Sequence, residues 1–165
     1  MRYLLLVISM YFVSITAANN LKIDEVRLLY QKSAKDEISC QKLIDNLHLF
    51  NESNNVCLAS YRACATMIMA KYVSSPINKL SKFKEGKNLL EKCIEIDKQN
   101  VEIRFLRFTV QCNAPMFLGY YSSLKSDKIF LLNSISKVKD LQLKNIIISF
   151  LKSSSYLTSI EKRNL

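Results

Sequence analysis

Two arginines carry the clearest potential for chemistry in this sequence. Arg104 and Arg107 lie one helical turn apart in a largely apolar segment, and Gln111 falls on the same face one turn further on. Two guanidinium groups on one face can bind a carboxylate or a phosphate through paired hydrogen bonds. The alternative is that they form ion pairs inside the fold. The acidic residues available for such pairs are Glu85, Glu91 and Asp127.

The segment from Asn113 to Ser126 concentrates turn-forming and aromatic residues. It contains one of the chain's two prolines and one of its two glycines, Pro115 and Gly119. Long loops with aromatic side chains are often functional. The alternative is a lid whose apolar side chains close the open end of the helix stack. The aromatic residues of this loop are Phe117, Tyr120 and Tyr121.

The arginine face and the aromatic loop adjoin each other in the sequence. We therefore predict that they form one aromatic and cationic surface, suited to an acidic or carboxylate-bearing partner. The predicted partner-binding residues are Arg104, Arg107, Phe117, Tyr120 and Tyr121.

The cysteines and the single histidine form no recognisable catalytic or metal-binding motif. The cysteines lie among apolar residues without CxxC spacing, so we expect core packing, with one inter-helix disulfide as the alternative. His48 lies near a predicted helix end, where a capping or packing role is expected. We predict no cofactor, no metal site and no enzymatic activity. The five cysteines are Cys40, Cys57, Cys64, Cys93 and Cys112.

The N-terminus has the pattern of an export signal. Arg2 precedes an uncharged apolar run, and Thr16-Ala17-Ala18 supplies the small residues that signal peptidase requires. The apolar stretch is shorter than the ~20 residues that span a bilayer as a helix. We predict a signal peptide at residues 1–18, cleaved near Ala18, and a single exported α-helical domain at 19–165. The mature protein would be periplasmic or secreted and would not span a membrane.

Composition and periodicity predict an all-α fold. Only two glycines and two prolines occur in 165 residues, and apolar residues recur at helical spacing. We expect about seven to eight antiparallel helices joined by short polar breaks. They are predicted at 21–32, 36–49, 56–73, 80–96, from 101, at 127–138 and 141–151, and from 158.

The helices predicted at 56–73 and 80–96 have a residue pattern similar to that of a known repeat family. Gly86, Leu90 and Cys93 occupy small, large and small positions, and Gly86 would allow a close approach between helices. This hairpin, over roughly residues 58–107, resembles a degenerate tetratricopeptide repeat. Lys98 stands where that repeat has proline, and the loop before the second helix is longer than usual. The resemblance implies a helical hairpin stack.

A second resemblance covers nearly the whole mature chain. The tracts are Lys79–Lys87, Val101–Phe108 and Asn113–Tyr120. They are similar to those of a group of short exported proteins from flavobacteria-like bacteria. This resemblance implies an exported bacterial helical domain, but it implies no activity and no site residues.

The charge pattern and the predicted helical fold favour some classes of function over others. The formal net charge is +10, but the lysines are scattered and lack the arginine-rich tracts or aromatic interleaving of nucleic-acid platforms. We predict no nucleic-acid partner. We favour a non-enzymatic interaction or scaffold module of the bacterial envelope, with an envelope protein or peptide as its partner. The alternative is a basic protein that binds envelope polyanions or a membrane surface.

Overall fold

The computed structural model describes residues 22–165, and all regular structure in that range is helical. The prediction of an all-α domain with about seven to eight helices is confirmed. The predicted signal peptide, residues 1–18, lies outside the described residues. The helices are α1 (Ile23–Ser33), α2 (Glu37–Leu47), α3 (Val56–Met69), α4 (Pro76–Ile96), α5 (Val101–Asn113), α6 (Leu124–Ser134), α7 (Leu141–Ser153) and α8 (Ser159–Arg163).

Polar residues placed just before the helices determine where several of them begin. The Asp36 carboxylate accepts from the backbone N–H groups of Ile38 and Ser39 at the start of α2. Asn55, Asn100 and Asp140 accept from backbone N–H groups in the same way at α3, α5 and α7. At α8, Thr158 and Glu161 form a capping box. Each such cap satisfies backbone donors that have no partner within the helix.

Three helices have boundaries that differ from the predictions by three or four residues. Helix α4 begins at Pro76 rather than at residue 80, because Ser75 caps it and proline is well suited to the first helical position. Helix α3 ends at Met69 rather than at residue 73. Helix α6 begins at Leu124 rather than at residue 127 and ends at Ser134, where a 3-10 turn takes over. The predicted loop from Asn113 is therefore shorter than its sequence implied.

Consecutive helices pack against one another through the first half of the chain. The tightest contact joins α3 to α4 at Gly86, where a Cβ atom would lie 2.3 Å from the Ala63 carbonyl oxygen and 2.7 Å from Met67 Cγ. The close approach predicted at Gly86 is confirmed. Helix α3 is buried on almost every side, and it contacts α1, α2 and α5 as well as α4.

Helix α5 unites two hydrophobic clusters. Its residues Ile103, Leu106 and Val110 pack with α1–α4, whereas Phe105 and Phe108 pack with α6 and α7. Both faces of α5 are therefore in the core, which joins the chain into one domain. None of the helices described between residues 22 and 165 combines the length and the apolar character needed to cross a bilayer.

Candidate functional site

The aromatic loop between α5 and α6 is an ordered turn. A 3-10 turn at Met116–Leu118 is closed by Gly119, whose φ of 63° lies in the left-handed region that favours glycine. The turn leaves Met116 and Phe117 68% and 86% exposed. Tyr121, at 52%, is also exposed.

Tyr120 points the other way and anchors the loop to α4. It is 4% exposed, packs edge-on against Phe83 with ring centroids 5.9 Å apart, and donates its hydroxyl proton to Glu91. The Lys87 ammonium lies 5.2 Å from the centre of the same ring. Burial, together with the bond to Glu91, raises the pKa of Tyr120 well above its usual value. Tyr120 is therefore a neutral core residue.

The two arginines of α5 bind acidic residues of the fold. Arg107 donates from Nε to Asp127 Oδ2 at 2.7 Å, from Nη2 to Asp127 Oδ1 at 2.9 Å and from Nη1 to Glu91 Oε2 at 2.8 Å. Arg104 also donates to Asp127, and its guanidinium lies 4.3 Å from the centre of the Phe130 ring. Burial opposes the charge on Arg107, but the bonds to Asp127 and Glu91 outweigh it and raise the pKa.

The structure therefore brings the predicted site residues together without forming one open surface. Arg104, Arg107 and Tyr120 direct their polar atoms at Glu91 and Asp127, two of the three acids named as internal partners. The third, Glu85, pairs with Lys82 instead. Gln111 is 2% exposed, with its side-chain amide unpaired in the described chain. Phe117 and Tyr121 alone among the predicted site residues face solvent.

A second buried ion pair was missed by the sequence analysis. Arg27 of α1 donates from Nε and Nη2 to the two carboxylate oxygens of Glu102, at 2.8 and 2.9 Å. The Tyr61 hydroxyl donates to Glu102 at 2.6 Å, and Arg27 Nη1 lies 2.8 Å from Asp140 Oδ2. Arg27 lies between Val26 and Tyr30 at the edge of an apolar helix face. That position was the one indication in the sequence that Arg27 is buried.

The structure contains an open groove of about 1830 Å³. Residues of α1, α3, α4, α5, α7 and the loop after α5 line it. The apolar part of its lining includes Met67, Ile68, Phe83, Val110 and Ile146. The sequence analysis missed this groove, because its lining comes from five helices whose relative placement is a tertiary property.

The charged groups lining the groove are all cationic. No Asp, Glu, His or Cys of the described chain lines it. Arg27 is neutralised by Glu102, and Lys71 donates to the Ala34 carbonyl at 2.8 Å. The remaining lysines have no carboxylate partner among the described ion pairs. The lining lysines are Lys35, Lys71, Lys79, Lys84 and Lys87.

The five cysteines are free and lie in or against the core. Cys40 donates its thiol proton to the Ala65 carbonyl at 3.3 Å. Burial raises the pKa of Cys40 from its usual 9.0 to about 11 and that of Cys57 to about 12. Thiols with raised pKa values are poor nucleophiles. Among residues 22–165, no group of three or more His, Cys, Asp or Glu side chains is arranged to hold a metal ion.

Comparison with known proteins finds no match to this chain among family models, curated proteins or solved structures. Two resemblances therefore stay predictions that depend on the residue patterns alone: the one to a tetratricopeptide repeat and the one to exported flavobacterial proteins.

Proposed function

We propose that this protein is an exported, non-enzymatic interaction module of the bacterial envelope, and that the groove is its binding site. The occupant is one helical segment of a partner protein, apolar on one face and acidic on the other. The single observation that carries this proposal is the groove lining, which combines apolar side chains with lysines and, within residues 22–165, contains no carboxylate.

The size of the groove favours a polypeptide segment over a small molecule. Pockets for small molecules have volumes of about 300–1000 Å³, and this groove, at 1830 Å³, exceeds that range. An α-helix about 10 Å across that rises 1.5 Å per residue fills roughly 120 Å³ per residue. The groove therefore has room for about fifteen residues, or four turns, of one helix.

The arrangement of the helices supports the same proposal. The alternate helices α1, α3, α5 and α7 all line the groove. Stacks of helical hairpins generate extended concave surfaces in this way and use them to bind partners. The tetratricopeptide-like pattern proposed from the sequence would place such a surface here.

The chemistry of the lining supports a binding role rather than catalysis. Acid–base and nucleophilic catalysis commonly depend on His, Asp, Glu or Cys, and none of these lines the groove in the described chain. Tyr30, which lines it, shares a hydrogen bond of 2.6 Å with Thr109. The groove lysines serve in this proposal as point charges for acidic side chains.

The proposal is tested with a synthetic acidic amphipathic peptide of about four turns and a basic counterpart with the same apolar face. Fluorescence anisotropy should show binding of the acidic peptide, weakened by added salt, and much weaker binding of the basic one. Leu80→Glu, on the groove wall, should abolish binding. Leu28→Glu, at an exposed position of α1 outside the groove, is the matched control. Equal binding of both peptides, or full binding by Leu80→Glu, would contradict the proposal.

A further inference from the structure

The turn at Met116–Leu118 presents apolar side chains to solvent in a fixed position. Phe117 is 86% exposed and Met116 is 68% exposed. On either side the chain is anchored: Ala114 and Leu118 pack against the first hydrophobic cluster, and Tyr120 is buried against α4. Phe117 is therefore exposed in a turn that packing contacts hold on both sides.

Cationic side chains are present on α4, against which the loop packs through Tyr120, and on α6, which follows the loop. Lys87 lies over the ring of Tyr120, and Lys84 lines the groove together with Phe117. Lys125, in the first turn of α6, is exposed. The nearby acids are engaged elsewhere, because Asp127 is fully buried between Arg104 and Arg107 and Glu91 is bound by Arg107 and Tyr120.

We propose that this turn docks the protein on an anionic lipid bilayer. Phe117 and Met116 enter the boundary between headgroups and acyl chains, and Lys84, Lys87 and Lys125 contact the lipid phosphates. Apolar side chains at the headgroup boundary and lysines near an anionic surface are the two contributions that hold a peripheral protein on a membrane.

The proposal goes beyond groove binding and concerns a lipid ligand, although Phe117, Lys84 and Lys87 also line part of the groove. The groove receives one segment of a partner, whereas the turn contacts a lipid surface from the end of the molecule. Phe117 also lines the groove, so docking would place one end of the groove close to the membrane. Partners held there would be anchored in or near the same membrane.

Vesicle co-sedimentation tests this surface directly. The protein without its predicted signal peptide should bind vesicles of phosphatidylglycerol and phosphatidylcholine and release them at high salt, and it should bind pure phosphatidylcholine much less. Phe117→Ser should weaken binding by about tenfold to a hundredfold, because one aromatic side chain is no longer transferred from water. The matched control is Ile38→Ser, since Ile38 is 78% exposed on α2, away from the turn.

Lysine variants supply the second arm of the test. Lys84→Gln should weaken vesicle binding by about fivefold, whereas Lys42→Gln, an exposed lysine of α2, should not. Thermal unfolding checks that each variant is folded. The proposal is overturned if the protein does not bind anionic vesicles, if both vesicle types bind equally, or if folded Phe117→Ser binds as well as Ile38→Ser.

Discussion

At the scale of single residues, buried charges tie the helices together. Asp127 of α6 is fully buried and accepts hydrogen bonds from two arginines of α5, and Glu91 of α4 joins the same network through Arg107. The sequence analysis named these acids among the available internal partners. It could not name Glu102 as the partner of Arg27, because 75 residues separate the two along the chain.

Removing the shared carboxylate should destabilise the fold strongly. Asp127→Asn leaves Arg104 without its carboxylate partner and Arg107 with Glu91 alone, in a buried site, and we expect the free energy of unfolding to fall by about 3 kcal/mol. Urea denaturation measures this change. Glu85→Gln, which removes the exposed ion pair with Lys82, should change stability by less than about 1 kcal/mol. Equal effects of the two substitutions would contradict the structural role given to Asp127.

The buried thiols give a pH dependence with a defined sign. Burial raises the pKa of Cys40 and Cys112 from 9.0 to about 11, so the folded protein holds these protons more tightly than the unfolded chain. Their contribution to stability is complete below about pH 9 and is lost as the pH rises toward 11. Urea midpoints measured across this range should fall for the wild type, and less steeply for Cys40→Ala with Cys112→Ala. Identical slopes would disprove the linkage.

At the scale of helices, the burial of α5 differs most from what its composition indicates. Its sequence contains Glu102, Arg104 and Arg107, charges typical of a solvated face, yet nine of its residues are buried. The charges are neutralised by α1, α4 and α6, and a pattern within one helix does not reveal such partners. Helix α3 is apolar nearly all round, and such a sequence indicates a central helix without any knowledge of its partners.

Gly86 provides a test of the α3–α4 contact. In an exposed helical position, Gly→Ala stabilises a protein by about 0.5–1 kcal/mol. At Gly86 the new Cβ would overlap the Ala63 carbonyl oxygen, so we expect Gly86→Ala to lower stability by about 1–3 kcal/mol. Asn88→Ala, at an exposed position of the same helix, is the control and should be close to neutral. A stabilising Gly86→Ala would show that the two helices are further apart.

At the scale of the whole molecule, helical class and count follow from composition and periodicity, whereas the groove does not. Each lining residue looks like an ordinary core or surface residue in its own helix. The groove exists because α1, α3, α5 and α7 are arranged side by side with α4 and the loop after α5 at one edge. The sequence singles out the loop aromatics as a group, but only packing reveals that Tyr120 turns inward while Phe117 stays outside.

The predicted export also concerns the whole molecule. The order of charge, apolar run and small residues at the N-terminus predicts cleavage near Ala18. N-terminal sequencing of protein recovered from the envelope fraction should begin close to Asn19. A soluble cytosolic product that begins at Met1 would contradict the envelope function proposed above.

The most direct test of groove binding is an NMR titration of isoleucine methyl groups with the acidic amphipathic peptide. Ile68 and Ile146 line the groove, whereas Ile38 and Ile160 are exposed on α2 and α8, outside it. Binding in the groove predicts that the methyl signals of Ile68 and Ile146 shift to saturation while those of Ile38 and Ile160 stay in place. Saturable shifts confined to Ile38 or Ile160, or no shift at any methyl group with millimolar peptide, would contradict it.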